Sequence, residues 1–143
     1  MITRNGLAGL LLIASLNAFG QSPPAYLFVN NSSATLVDDA SVNALFQEMV
    51  SPRLGKLYPA GVWGFATQVH GGFTEDKTCV IAASTMLLPR NRPSGTKLML
   101  FKPKRTAAAF GALPNATAEQ CAGLAKSKIR EANQAMLAAL VPS

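Results

Sequence analysis

The run TCVIAASTMLLP at residues 78–89 carries no charge, lies between two turn-forming clusters, and contains Cys79, one of only two cysteines in the chain. An uncharged run rich in apolar and β-branched residues, with turn signals on both sides, is typical of a buried strand. The second cysteine, Cys121, lies in a helix-like pattern near the C-terminus. We therefore predict a central strand that is tied through Cys79 to a C-terminal helix.

The residues around this run predict an antiparallel meander of three or four strands. Residues 62–70 alternate with a period of two, and the turn-forming residues that begin at Gly71-Gly72 favour a hairpin with residues 78–88. The alanines of the last predicted strand of the meander fit a helix equally well. The other segments with strand character are residues 26–29, 96–102 and 106–110.

Helical patterns flank the meander. Residues 34–50 place apolar side chains at three- and four-residue steps, and residues 51–58 open with a Ser-Pro pair that suits the start of a short helix. Thr117 and Gln120 have the spacing of a capping box, which predicts a long third helix with an apolar arc of small residues. The predicted fold class is therefore α+β: an N-terminal helical segment, the meander, and a C-terminal helix packed on the sheet and pinned by one Cys79–Cys121 disulfide.

The disulfide also predicts which residues of the central strand face the C-terminal helix. If Cys79 reaches a helix on the sheet, the odd-numbered residues up to Leu87 face that helix, and the even-numbered residues from Val80 face the other way. Both sets are largely apolar or small. We therefore expect the helical N-terminal half to cover the second face.

Residues 1–20 have the organisation of an export signal. Arg4 supplies a positive start, residues 7–16 form an apolar stretch too short to span a bilayer, and small residues precede a cleavage site after Gly20. The rest of the chain shows no segment long enough for a transmembrane helix. We predict that residues 1–20 are removed and that residues 21–143 form a single α+β domain in the periplasm or outside the cell.

Two cysteines in an oxidising compartment most simply form one bridge. A Cys79–Cys121 bond closes a loop of about 43 residues, for which the chain-entropy relation gives about 4 kcal/mol of stabilisation. The alternative, two buried free thiols, stays open at this point.

The composition limits the partners of the protein. Thirteen basic residues stand against seven acidic ones, and loss of Arg4 with the leader leaves a net charge of +5 with the histidine neutral. Such an excess favours anionic surfaces, although it also serves solubility alone. With two tyrosines and one tryptophan, the stacking platform of a single-strand nucleic-acid binder is not evident, so no nucleic acid is expected.

A basic cluster is the strongest positive signal for a binding surface. Its six members fall within sixteen residues that contain no acidic residue. The turns before and after the predicted third strand would place most of them at opposite ends of that strand. The alternative is a solvated edge that charge protects from unwanted strand pairing. The six residues are Arg90, Arg92, Lys97, Lys102, Lys104 and Arg105.

Catalytic and metal-binding signals are weak. His70 is the only histidine and could act as an acid or base with Glu75 or Asp76, but no spacing selects a nucleophile for it. One histidine, two cysteines expected to be oxidised and dispersed carboxylates do not match any metal-ligand spacing. No phosphate-binding glycine motif occurs. We expect no metal and no cofactor.

Three functions remain after these exclusions. The leading hypothesis is a non-enzymatic binding protein that engages a protein partner or an anionic envelope component through the basic cluster. The second is a small exported hydrolase or isomerase that uses His70. The third is a structural envelope subunit that associates with itself through a sheet face or edge.

Overall fold

A computed structural model describes residues 25–90 and 102–143, and within them a four-stranded mixed sheet carries helices on one face. The predicted export signal, residues 91–95 and all of the predicted third strand except Lys102 lie outside the described residues. In chain order the elements are β1 (Leu27–Asn30), α1 (Asp39–Gln47), α2 (Pro52–Leu57), β2 (Trp63–Phe73), β3 (Cys79–Pro89), β4 (Arg105–Leu113) and α3 (Ala118–Leu140).

The sheet confirms the antiparallel meander and adds a parallel strand to it. The strand order is β1-β2-β3-β4, in which β2, β3 and β4 are antiparallel and β1 runs parallel to β2. The place next to β3 that the sequence assigns to residues 96–102 is taken by β4. Its alanines are in a strand rather than a helix, because pairing with β3 and packing under α3 outweigh their helix propensity.

The β2–β3 hairpin turns later than the sequence suggests. Gly71 and Gly72 continue the strand, with φ of 147° and 151°, and the turn runs from Thr74 to Thr78. The amide of Thr74 donates to the carbonyl of Thr78 at 2.9 Å, and Lys77 has a positive φ. The prediction that the glycine pair begins the turn is therefore wrong, since the hydroxyl and carboxylate side chains of residues 74–78 build it instead.

Side-chain caps decide where the helices begin. Helix α1 starts at Asp39 rather than near residue 34, because the carboxylate of Asp38 accepts from the amide of Ser41 at 2.8 Å. Ser51 caps α2. Thr117 caps α3 through the predicted capping box, in which its amide donates to the Gln120 side chain at 2.8 Å.

The helices all pack on the face of the sheet to which Cys79 points. The disulfide joins Cys79 to Cys121 with 5.6 Å between the Cα atoms, as predicted. The odd-numbered residues of β3 from Cys79 to Leu87 are fully buried beneath α3. Val42 and Leu45 of α1 belong to the same core cluster as Ile129 of α3.

The face of the sheet opposite the helices is here called the outer face. The expectation that the N-terminal helices cover it is wrong. They cannot do so because β1 and β2 are parallel, and the crossover between them carries α1 and α2 over the face that α3 covers. Val80 is 41% exposed and Phe110 is 72% exposed. The outer face comprises the even-numbered residues of β2, β3 and β4, among them Gln68, His70, Val80, Ala82, Ser84, Ala108 and Phe110.

Candidate functional site

The antiparallel register gathers the described basic residues at one end of the sheet. Leu87 of β3 pairs with Arg105 of β4, and the amide of Lys104 donates to the Leu87 carbonyl at 2.8 Å. Arg90 follows β3 at this same end. The expectation that these residues lie at opposite ends of a strand is therefore wrong for Arg90, Lys104 and Arg105, because β4 pairs directly with β3. We call Arg90, Lys102, Lys104 and Arg105 the basic end of the sheet.

Arg90 has a structural partner. Its Nη1 donates to the carbonyl of Ala60 at 2.8 Å, and its backbone amide donates to the Val62 carbonyl at 2.7 Å. The side chain is half-buried and braces the loop that leads into β2. Arg90 therefore contributes charge at a fixed position rather than a mobile contact.

The other three described members, Lys102, Lys104 and Arg105, are exposed to solvent. Ion pairs within residues 25–90 and 102–143 join Lys128 to Glu131 at 2.5 Å and Arg130 to Glu48 at 2.9 Å, so none neutralises this end of the sheet. The predicted binding residues Arg92 and Lys97 lie outside the described part of the chain.

The Arg130–Glu48 pair crosses a cleft of about 220 Å³ between α1 and α3. The guanidinium donates to both oxygens of Glu48, at 2.9 and 3.1 Å, and this hydrogen bonding lowers the pKa of the Glu48 carboxyl and raises that of Arg130. Asn133 also lines the cleft, but its side chain already bonds to Thr85 and to the Leu45 carbonyl. The cleft thus presents a compensated ion pair and an amide already in use, which leaves little for a ligand to bind.

His70 lies on the outer face, exposed, next to Ala82 across the hairpin. Its Nε2 is in contact with the side-chain amide of Gln68. Within the described residues no carboxylate bonds to it. Asp76 bonds instead to the Thr74 hydroxyl and the Thr78 amide in the turn, and the Thr74 bond is the main cause of its lowered pKa.

The two adjacent hydroxyl residues of β3 differ in position. Ser84 is on the outer face opposite Gln68, whereas Thr85 is buried beneath the helices and bonded to Asn133. The enzymatic use of His70 stays a prediction that no contact in the structure favours. Nor do the residues that the structure describes contain a group of three His, Cys, Asp or Glu side chains that could hold a metal ion.

The exposed apolar patch on the outer face is the feature that sequence reasoning missed. A shallow depression there is lined by residues from His70 to Thr74 together with Val80 and Ala82. Register places Phe110 beside Ala82. The available signal was the alternation of side chains between the two faces of β4. Phe110 follows the buried Ala109 and therefore lies on the opposite, exposed face of the strand.

In residues 25–90 and 102–143, the structure has no helix with the length and apolar character needed to cross a membrane. Comparison with protein-family models, with curated proteins and with solved structures found no match to this chain.

Proposed function

We propose that this chain is a small exported, non-enzymatic binding protein that holds an anionic ligand at the basic end of the sheet. The observation that carries the proposal is the grouping of Lys102, Lys104 and Arg105, all exposed, at the end of the sheet where Arg90 is braced. Neither of the two ion pairs in the described residues involves them.

The chemistry of the basic end suits carboxylate or phosphate groups. Lysine ammonium groups act as point charges, and the guanidinium of Arg105 can donate two parallel hydrogen bonds to one anion. Three cations at the start of one strand repel one another, and a bound anion relieves that repulsion. Because the charges are exposed, the binding should weaken as salt screens them.

Two sources could supply such a ligand in the compartment that we propose. An acidic partner protein presents carboxylates, and the cell envelope presents anionic polymers and lipids. The predicted export signal and the Cys79–Cys121 bond support an oxidising compartment outside the cytoplasm. The shared chemistry is an anionic surface, and the experiment separates its sources.

The test is binding of the purified protein to three probes: polyglutamate, anionic phospholipid vesicles and a teichoic-acid-type polyphosphate. We expect at least one to bind at low ionic strength and to be released as salt is raised. The K102Q/K104Q/R105Q variant should lose most of this binding. The matched control K56Q/K77Q/K126Q removes the same charge from other exposed positions and should keep it.

Equal loss of binding in the two triple variants would show that net charge alone acts, and would overturn the proposal. Absence of binding to all three probes at low salt would overturn it as well. Binding to polyglutamate alone would favour a protein partner, whereas binding to vesicles or polyphosphate would favour an envelope component.

A further inference from the structure

The β2–β3 hairpin determines, for each strand, which residues direct their backbone amides and carbonyls to which neighbouring strand. The amide of Arg90 donates to the Val62 carbonyl and the amide of Thr74 to the Thr78 carbonyl, so even-numbered residues form the hydrogen-bonded pairs of this hairpin. In an antiparallel strand each residue directs its amide and carbonyl to the same side. The odd-numbered residues of β3 therefore bond to β4.

The same alternation fixes the outer edge of β4. Its odd-numbered residues pair with the odd-numbered residues of β3, for example Ala109 with Ala83. The even-numbered residues must then direct their amides and carbonyls away from the sheet. No hydrogen bond within residues 25–90 and 102–143 uses these groups. The four outward residues are Thr106, Ala108, Phe110 and Ala112.

From Thr106 onwards, β4 itself contains none of the charges, prolines or bulges by which natural edge strands prevent pairing with another strand. From Thr106 to Leu113 there is no charged residue and no proline, and the register with β3 continues without a bulge. Long, uncharged edge strands of this kind are templates for a further strand. The one charged residue within β4 is Arg105, at its first position.

We infer that β4 pairs with β4 of a second copy of this chain, antiparallel about a two-fold axis at Ala109, to give one eight-stranded sheet. This register opposes Thr106 to Ala112 of the second copy and Ala108 to its Phe110. All four outward residues of each copy then gain partners. The two exposed Phe110 rings become diagonal neighbours on the outer face, within reach of each other.

The distribution of charge favours a second copy over an unrelated strand. One end of β4 carries Lys102, Lys104 and Arg105. The other end, at Leu113, lies beside the β2–β3 turn, because Leu113 pairs with Cys79 at the start of β3. Three acidic residues belong to that end and one lysine partly offsets them. They are Glu75, Asp76 and Glu119, with Lys77 as the offset.

Antiparallel pairing therefore sets the basic end of each copy against the acidic end of the other, whereas parallel pairing would oppose like charges. Such an arrangement is isologous, as in most closed dimers. The inference shares the basic end with the proposed ligand binding, but its test reads the mass of the protein without any ligand, so the two can fail separately.

Sedimentation velocity from micromolar to submillimolar concentration tests the inference on the protein with its disulfide formed. We expect a monomer–dimer equilibrium. The A108K variant places a lysine from each copy near the two-fold axis and should raise the dissociation constant by at least about tenfold. The S84K variant is the matched control, because Ser84 is the register partner of Ala108 on the same face but one strand inward.

A strict monomer at all concentrations would overturn the inference, and so would equal weakening by A108K and S84K. The mass of the wild-type protein alone shows whether it dimerises. A folding defect in A108K would therefore still leave the inference tested. Formation of an interchain disulfide by A109C but not by A107C would support the register, since only residue 109 opposes its own copy across the axis. Efficient cross-linking by A107C would contradict it.

Discussion

The hydroxyl of Thr85 donates a hydrogen bond of 2.5 Å to the side-chain oxygen of Asn133, and both residues are buried. The amide nitrogen of Asn133 donates in turn to the Leu45 carbonyl at 3.1 Å. One side chain thus connects β3, α3 and α1 inside an apolar core. A buried polar group that keeps all its partners fixes how these three elements align.

Replacing Asn133 with leucine should lower the free energy of unfolding by about 2–3 kcal/mol, because the Thr85 hydroxyl and the Leu45 carbonyl lose their partner while buried. The T85V/N133L double variant should cost less than the sum of the two single changes. Urea unfolding of all four proteins measures the coupling. Simple additivity would show that the two side chains do not interact.

Removing the disulfide in a C79A/C121A variant should lower the free energy of unfolding by about 2–4 kcal/mol, since the bridge restricts the unfolded chain. Urea titration with and without reducing agent measures this. The double variant serves as its own control, because a reductant should shift only the wild-type midpoint. An unchanged wild-type midpoint on full reduction would contradict the prediction.

Two glycine-to-alanine changes should act in opposite directions. At Gly71, where φ is +147°, an added Cβ would lie 1.9 Å from the Val80 carbonyl oxygen, so G71A should be strongly destabilising. At Gly123 in α3 a Cβ meets nothing within 4 Å, so G123A should stabilise by about 1 kcal/mol. Thermal unfolding compares them. A stable G71A protein would show that residue 71 does not hold this positive φ in the hairpin.

Acid should weaken the fold through carboxylates with a lowered pKa. In each case a hydrogen bond is the main cause of the lowered pKa. The donor is Ser41 for Asp38, Arg130 for Glu48 and Thr74 for Asp76. A pKa lowered by folding stabilises the protein above the unfolded value, about 4, and the contribution is lost as pH falls through the folded value. The three groups are exposed to solvent, so each effect is small and salt-sensitive.

The D38N/E48Q/D76N variant tests this pH dependence. Its unfolding midpoint should fall less steeply than that of the wild type between about pH 5 and pH 2. Asparagine keeps a capping oxygen at positions 38 and 76, so the helix start and the turn are preserved. Identical slopes for the two proteins would refute the assignment.

Much of the fold could be predicted because its signals are local. The alternation of β2 and the caps at Ser51 and Thr117 depend on neighbours within a few residues. The pairing of the two cysteines depends on one covalent bond. The faces of β3 followed correctly from Cys79 alone. The strand character of β4 was harder, since its alanines take their conformation from pairing with β3 rather than from their own propensity.

The candidate site was harder to predict because it depends on which strands are neighbours. Bringing Arg90 close to Lys104 requires β4 to lie directly against β3, which sequence spacing does not specify. The exposure of Val80 likewise depends on the side to which the β1–β2 crossover carries α1 and α2. Both questions concern non-local pairing, whereas periodicity reports only local structure.

The disulfide also has a consequence for proteolysis. Cys79 begins β3 and Cys121 lies in the first turns of α3, so the bond encloses the intervening chain, which includes β4. A protease that cuts once between the two cysteines would leave both fragments covalently joined. Such a nicked protein would migrate as one band on a non-reducing gel and as two after reduction. In an oxidising compartment a single cleavage there would therefore break the chain without separating its halves.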